Sequence, residues 1–184
     1  MGKLIQWNTL SLDGYFEGAR SWDVEWFQPY FGDELREFSL KQLDAADALL
    51  FGRVTYEGMA AYWKSATDDV GRYMNSLRKY VFSSTLKSVD WENTTVIAGD
   101  PAVAVRRIKE ETPRDLLVFG SGRLCATLLE ARLFDEVRLA LLPIIIGAGA
   151  TLFGRNLPRI SMKLIEARPQ TNGCVILRYL PPAA

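Results

Sequence analysis

Apolar residues recur along this chain in two rhythms. Short runs that are apolar almost throughout alternate with longer stretches whose apolar positions return every third or fourth residue. The first rhythm reads as buried strands and the second as helices packed by one face. Strands are predicted over 3–8 (KLIQWN), 47–52 (DALLFG), 79–83 (KYVFS), 94–99 (TTVIAG), 115–120 (DLLVFG) and 136–143 (EVRLALLP). Helices are predicted over 34–46, 54–63, 101–111 and 122–133. Pro101 opens the third helix, where its missing N–H costs nothing. Leu124, Leu128 and Leu129 share one face of the fourth. Gly58 weakens the second by about 1 kcal/mol relative to alanine. Two further strands, 163–167 and 174–180, flank RPQTNG (168–173), which has the turn chemistry of a hairpin. Residues 10–33 and, more weakly, 64–72 show neither rhythm. A loop as long as the first is usually functional.

Strand–helix alternation demands crossover connections, hence a largely parallel sheet covered on both faces. The expected fold class is α/β: three layers, a mixed, mostly parallel central sheet and a C-terminal antiparallel hairpin. One domain over residues 1–184 accommodates it. Lys plus Arg equals Asp plus Glu at 22 each, which argues against nucleic acid or an anionic membrane as the main partner. The chain has no histidine, which removes His-based acid–base chemistry and the common zinc sites; no metal site is expected. Cys125 and Cys174 fit no metal or redox spacing and read as reduced, buried thiols. The opening MGKLIQWNTL is too short and polar for a signal peptide, and a cytoplasmic location is expected.

Ligands of open α/β sheets bind at the carboxyl ends of strands. Three predicted strands end in small or hydroxyl residues. LLFGRVTYE places Gly52, Arg53 and Thr55 at a helix start; YVFSSTL places Ser83 and Ser84; LLVFGSGRL places Gly120, Ser121, Gly122 and Arg123 at another helix start. Helix N-termini offer free N–H groups to anions, and the hydroxyls and arginines add donors. Together they form a cradle suited to a phosphorylated dinucleotide. Each piece also has a plainer reading: strand-to-helix turns for the glycines, a turn or N-cap for the serines, a solvated side chain for Arg53.

SLDGYF (11–16), FGRVTYE (51–57), YVFSSTL (80–86), VFGSGRL (118–124), FDEVRLALLP (134–143) and GAGATLFG (147–154) occur in that order over nearly the whole chain. By these motifs the chain resembles the dihydrofolate reductase-like superfamily. It is most similar to the branch of the C-terminal reductase domain of bifunctional riboflavin-biosynthesis proteins. The resemblance implies NADPH binding. Gly52, Arg53 and Thr55 would hold cofactor phosphates, Ser83 and Ser84 would lie at the adenosine 2′-phosphate, and Gly120 to Leu124 would line the pyrophosphate. It also implies a homodimer joined through the late strands.

The catalytic candidates lie in the long irregular segment. Asp23 precedes Trp26-Phe27 at a spacing similar to the pteridine-gripping carboxylate of dihydrofolate reductases; it reads equally as the cap of a short helix at 23–30. Asp13, in the turn LDGY, would lie beside nicotinamide and substrate by the same resemblance, and reads otherwise as an ordinary turn residue. Trp26, Phe27 and Tyr56 are candidate walls for a planar heterocycle, Tyr56 with its phenol as donor. Tyr15 stands where riboflavin-pathway enzymes usually carry a basic residue, which argues against a phosphorylated ribityl substrate. The leading expectation is an NADPH-dependent reductase of a small pterin- or pyrimidine-like heterocycle. A non-catalytic NADP(H)-binding or sensing dimer of the same fold fits the same motifs, as do a ligand-free dimer and a flavin-binding protein.

Overall fold

A computed structural model describes residues 2–153 and 157–182; Gly154, which closes the GAGATLFG segment, and both chain termini lie outside the described residues. The chain runs β1 (Leu4–Leu10), β2 (Tyr15–Glu17), a 3-10 helix (Glu25–Tyr30), α1 (Asp33–Ala45), β3 (Ala46–Gly52), α2 (Arg53–Trp63) and α3 (Asp69–Ser76). It continues through β4 (Arg78–Phe82), β5 (Thr94–Ile97), α4 (Pro101–Glu111), β6 (Asp115–Phe119) and α5 (Gly122–Glu130). It ends with β7 (Glu136–Leu141), β8 (Ala150–Thr151), β9 (Lys163–Pro169) and β10 (Val175–Leu180). Eight strands form one sheet in the order β5-β4-β3-β6-β1-β7-β10-β9, while β2 and β8 pair separately. From β5 to β7 all neighbours are parallel; β10 runs antiparallel to both β7 and β9. The mixed, mostly parallel sheet with its antiparallel C-terminal hairpin is the architecture expected.

Alternation along the inner strands sets the layers. Ala48 and Leu50 of β3 face α4 and α5, with Leu4, Val118, Val105 and Leu128. Leu49 and Phe51 face the other way, onto Leu43 of α1, Tyr56 and Ala60 of α2, and Val70 and Met74 of α3. Leu49 and Leu50 are fully buried, each worth about 1.5–3 kcal/mol. A third cluster under the start of α1 joins Trp7 and Leu35 to Ala140, Leu142, Cys174 and Ile176.

The helix α3 lies where an irregular stretch was expected at 64–72. Asp68 caps it, accepting from the Gly71 N–H at 2.7 Å. Its eight residues include Gly71, Asn75 and Ser76, poor helix formers that lower its propensity. Tertiary bonds compensate: Asn75 donates to the carbonyls of Trp63 and Ala66 and accepts from the Trp91 indole.

The sheet also buries charge. Glu136, fully buried on β7, accepts from Arg138 Nε at 2.7 Å and Arg178 Nε at 2.6 Å. Burial alone would raise its carboxyl; the two guanidinium hydrogen bonds outweigh that and hold it at about 2. Lys79 on β4 donates to the carbonyls of Leu77 and Asn75 and lies 4.6 Å over the Trp91 ring. Burial pushes its ammonium down to about 8, against the opposing pull of Glu92. Cys125 and Cys174 are free and buried, and desolvation raises both thiols, Cys174 to about 11.

Candidate active site

The strands β4, β3 and β6 are parallel neighbours, so their carboxyl ends emerge side by side. Ser83-Ser84, Gly52-Arg53 and Gly120-Ser121 therefore lie along one edge of the sheet, as the cradle requires. The chain leaves β3 into α2 on one face and β6 into α5 on the other. That divergence opens a crevice between the two strand ends, the topological switch point at which α/β sheets bind ligands.

Ser121 spans the crevice. Its hydroxyl accepts from the Gly52 N–H at 2.7 Å and donates to Thr55 Oγ1 at 2.8 Å. Gly120 and Ser121 are both left-handed, with φ of 49° and 59°. At Gly120 a side chain would also press on Thr55, 3.1 Å away. This double reversal ends β6 and aims the first turn of α5 back over the crevice. No cis peptide occurs among the described residues, so the Gly120-Ser121 bond is trans. Neither α2 nor α5 has a side-chain cap, in contrast to α3 and α4, which are capped by Asp68 and Asp100; α1 is uncapped as well, behind Gly32. First-turn N–H groups thus face the crevice from both sides.

The other cradle residues divide. Arg53 forms an exposed pair with Glu57 one turn on, at 2.9 Å. Ser83 accepts from the N–H groups of Thr85 and Leu86, which shapes the turn after β4, and Ser84 is exposed beside it. Arg123 is exposed, while Leu124 is buried in the core against α4.

A cavity of about 430 Å³ adjoins the crevice and shares Thr55, Phe119 and Gly120 with it. One wall is α2, through Met59, Tyr62 and Trp63. The floor is Trp7, Asn8 and Thr9 at the end of β1. The deep end lies between α1 and α3, where Gln42, Leu43, Val70 and Met74 meet. The long segment that lacked periodicity supplies the mouth: Phe16, Glu17, Trp22, Glu25, Phe27 and Phe31. Its placement depends on β8, which pairs with β2 and so fastens Ala150 and Thr151 to Glu17 and Tyr15.

Among the predicted substrate residues, Phe27 lines the cavity as expected. Trp26 does not; it packs under α1 and donates to the Asp23 carbonyl at 3.1 Å. Tyr56 is a core residue: its ring lies by Trp91 and its hydroxyl accepts from the Trp91 N–H at 3.3 Å. It belongs to the i, i+4 stripe with Ala60 that faces the sheet, so its phenol is unavailable to a ligand.

The two predicted catalytic carboxylates lie outside the lining. Asp13 accepts from the N–H groups of Gly147 at 2.7 Å and Ile146 at 3.3 Å. Bonds to the Ser11 hydroxyl foremost, and to those N–H groups, hold it below the usual carboxylate range. It latches the 11–14 turn to the loop after β7. Asp23 sits 3.8 Å from Arg20, and its backbone is fixed by Gly18. The cap of the 3-10 helix is Val24, with no side-chain bond, so Asp23 is not its N-cap. The carboxylates that do line the cavity are Glu17 and Glu25; Glu17 accepts from the Trp22 N–H at 2.6 Å. Sequence reasoning passed over Glu17 because its position depends on the β2–β8 pairing, a contact across more than a hundred residues with no local signature.

Known proteins carry similar chains. Protein YyaP of Bacillus subtilis (strain 168), itself uncharacterised, is 28% identical over 178 residues, covering 92% of this chain and 90% of its own. Among solved structures, RibD of Acinetobacter baumannii superposes with a TM-score of 0.74 at 15% identity, covering all of this chain and 59% of that one. Dihydrofolate reductase from Enterococcus faecalis, solved in complex with NADP(H), superposes with a TM-score of 0.70 at 16% identity, over 99% of this chain and 98% of that one. The RibD C-terminal domain, as a sequence family, matches residues 3–176, a range that takes in the sheet from β1 into β10, the crevice and the cavity mouth. By that match the chain belongs to the RibD C-terminal domain family.

Proposed function

We propose that the protein is an NADPH-dependent reductase of a small planar heterocycle, folded as one domain over its whole length. The observation that carries this reading is the Ser121 bridge. It holds two uncapped helix N-termini across a strand crevice that opens directly into an aromatic cavity. The fit to the cofactor rests on that geometry. Backbone N–H groups of Gly122 to Leu124 face a pyrophosphate, as do those of the α2 first turn beside Gly52 and Thr55. Arg53, Ser83 and Ser84 lie farther along the same edge, where an adenosine 2′-phosphate would reach. Arg53 exchanges its exposed Glu57 partner for the phosphate at little cost, since such pairs contribute under about 1 kcal/mol.

Bound there, NADPH supplies hydride to an electrophilic carbon of the substrate. The protein's part is to hold the heterocycle flat between Trp7, Trp22 and Phe27, and to deliver the matching proton to the adjacent ring atom. Glu17 is the carboxylate placed to relay this proton, taking it from solvent at the cavity mouth and passing it on, oriented by the Trp22 N–H. Asp23 stays one residue outside that wall, with Asp13 serving as the latch behind it.

The homodimer belongs to the same reading. Leu139 and Leu141 pair with Leu177 and Val175 and so share one sheet face with them. Leu164 and Ile165 on the edge strand are 49% and 42% exposed. A second copy would cover that surface.

The test is NADPH titration followed by the tryptophan emission, since Trp7, Trp22 and Trp63 line the cavity. Saturable quenching that Ser121→Ala weakens roughly tenfold is expected. Absence of any saturable change at millimolar cofactor would sink the reading. Binding without turnover of any pterin or pyrimidine would favour the non-catalytic sensing dimer.

A further inference from the structure

The cavity carries a chemical signature beyond its shape. Gln42, on α1, is only 4% exposed and lines the deep end. Its Oε1 faces Arg138 Nη1 at 3.4 Å. Arginine has donors only, so the atom facing it is the oxygen, and the amide orientation is fixed. That leaves Nε2 as the buried donor with no partner among the described residues. Asn8, at the end of β1, has an unpartnered Nδ2 as well, but by strand alternation it lies on the opposite sheet face with Leu139. Buried amide donors are normally satisfied, and one without a partner that lines a cavity points to a ligand that accepts from it.

The mouth is charged in one sense. Glu17 and Glu25 stand there, and among the described residues the lining holds no Lys or Arg. The nearby arginines stand outside the lining: Arg20 beside Asp23 at 3.8 Å, and Arg53 in the cradle, where the cofactor's 2′-phosphate would take it. An anionic substituent would pass two carboxylates without a compensating partner in the wall.

We infer that the substrate is an uncharged planar heterocycle bearing a ring carbonyl or equivalent acceptor, with no phosphate or carboxylate of its own. The inference rests on the reductase reading for the site's purpose, and it narrows the substrate class. The Gln42 amide donates to the acceptor, Trp7 and Trp22 enclose the ring, and the acidic mouth rejects anionic relatives of the same size. A bicyclic dione fits a cavity of about 430 Å³, which is within the usual range for small-molecule sites.

The test uses lumazine, a neutral pteridine dione, and its 6-carboxylate, in calorimetric titrations of the full chain with NADP⁺ present. Lumazine is expected to bind saturably and the carboxylate at least roughly tenfold more weakly. Gln42→Glu keeps the oxygen facing Arg138 and replaces the free donor by an acceptor. It should weaken lumazine roughly tenfold while leaving NADP⁺ affinity and the melting temperature close to wild type. Gln42→Met provides a second exchange, removing the donor without adding an acceptor or charge there, with the same expected loss. No lumazine binding, equal or tighter binding of the carboxylate, or unchanged lumazine affinity in both variants would overturn the inference. NADP⁺ titrated alone separates the two readings: if it fails to bind, the reductase assignment falls, and the lumazine results still decide the ligand chemistry.

Discussion

The indole of Trp22 packs on Gly58 so closely that a Cβ built at Gly58 would fall 2.0–2.4 Å from its ring carbons. Trp22 itself is left-handed, with φ of 61°, a conformation that costs a bulky residue about 1 kcal/mol or more. The pair explains why a helix-weakening glycine stands in α2: it makes room for the wall of the cavity. Gly58→Ala should therefore destabilise the protein and shift tryptophan emission to the red. In a Trp22→Ala background the same change should stabilise by up to about 1 kcal/mol, as helix propensity alone dictates. Thermal unfolding of the four proteins checks this, and a same-sign effect in both backgrounds would refute it.

Ser121→Ala removes the bridge across the crevice. The Gly52 N–H loses its acceptor and Thr55 loses a donor, which should cost about 1–2 kcal/mol of stability. Cofactor affinity should fall with it, whereas Asp13→Asn, which loosens the latch to the 146–147 loop, should leave NADPH affinity within about twofold. Parallel urea melts and cofactor titrations decide between them.

Glu136 makes stability depend on acid. Its carboxyl is held at about 2 in the fold, against an ordinary 4.5. The stabilisation is complete above the ordinary value and is lost as pH falls from about 4.5 towards 2. The shift corresponds to at most about 3 kcal/mol. Glu136→Gln should lose an amount of this order at neutral pH and converge on wild type at the acid end of that window.

Lys79 acts in the opposite range. Its ammonium is depressed to about 8 from 10.5, so between those values the unfolded chain binds a proton that the folded chain does not. Stability should therefore rise as pH climbs through that window. Lys79→Met should abolish the rise, as read by denaturant midpoints at pH 7.5 and about 10. An unchanged slope would assign the effect to another group.

A dimer through the late strands predicts that Leu177→Arg, placed mid-face on β10 opposite Leu139, yields a monomer by sedimentation. Cofactor binding should survive, because three strands, β7, β1 and β6, lie between β10 and the crevice.

What the sequence disclosed follows from how local each signal is. Helix α4 matches its expected span of 101–111 from end to end, because Asp100 caps it and Pro101 opens it, both readable in place. Helix α3 escaped notice because its stability comes from Asn75 and the Trp91 contact, not from propensity. The crevice was legible for the same local reason: three strand ends carry their own small residues, and parallel pairing does the rest. The cavity was not. Tyr56 pointed inward only once the α2 face was assigned, and its spacing to Ala60 already held that clue. Glu17 and Gln42 come to one cavity only through pairings remote in sequence, which no single chain announces.

The position of β1 has a consequence for how the chain comes off the ribosome. Leu4–Leu10 is synthesised well before its partners β6 and β7, the later of which ends at Leu141. The nascent polypeptide carries an unpaired greasy segment through most of translation, and the two halves of the sheet stay separate until it docks between them. Deleting those few residues would remove not an edge but the seam, so the loss would fall on the whole sheet rather than on one border.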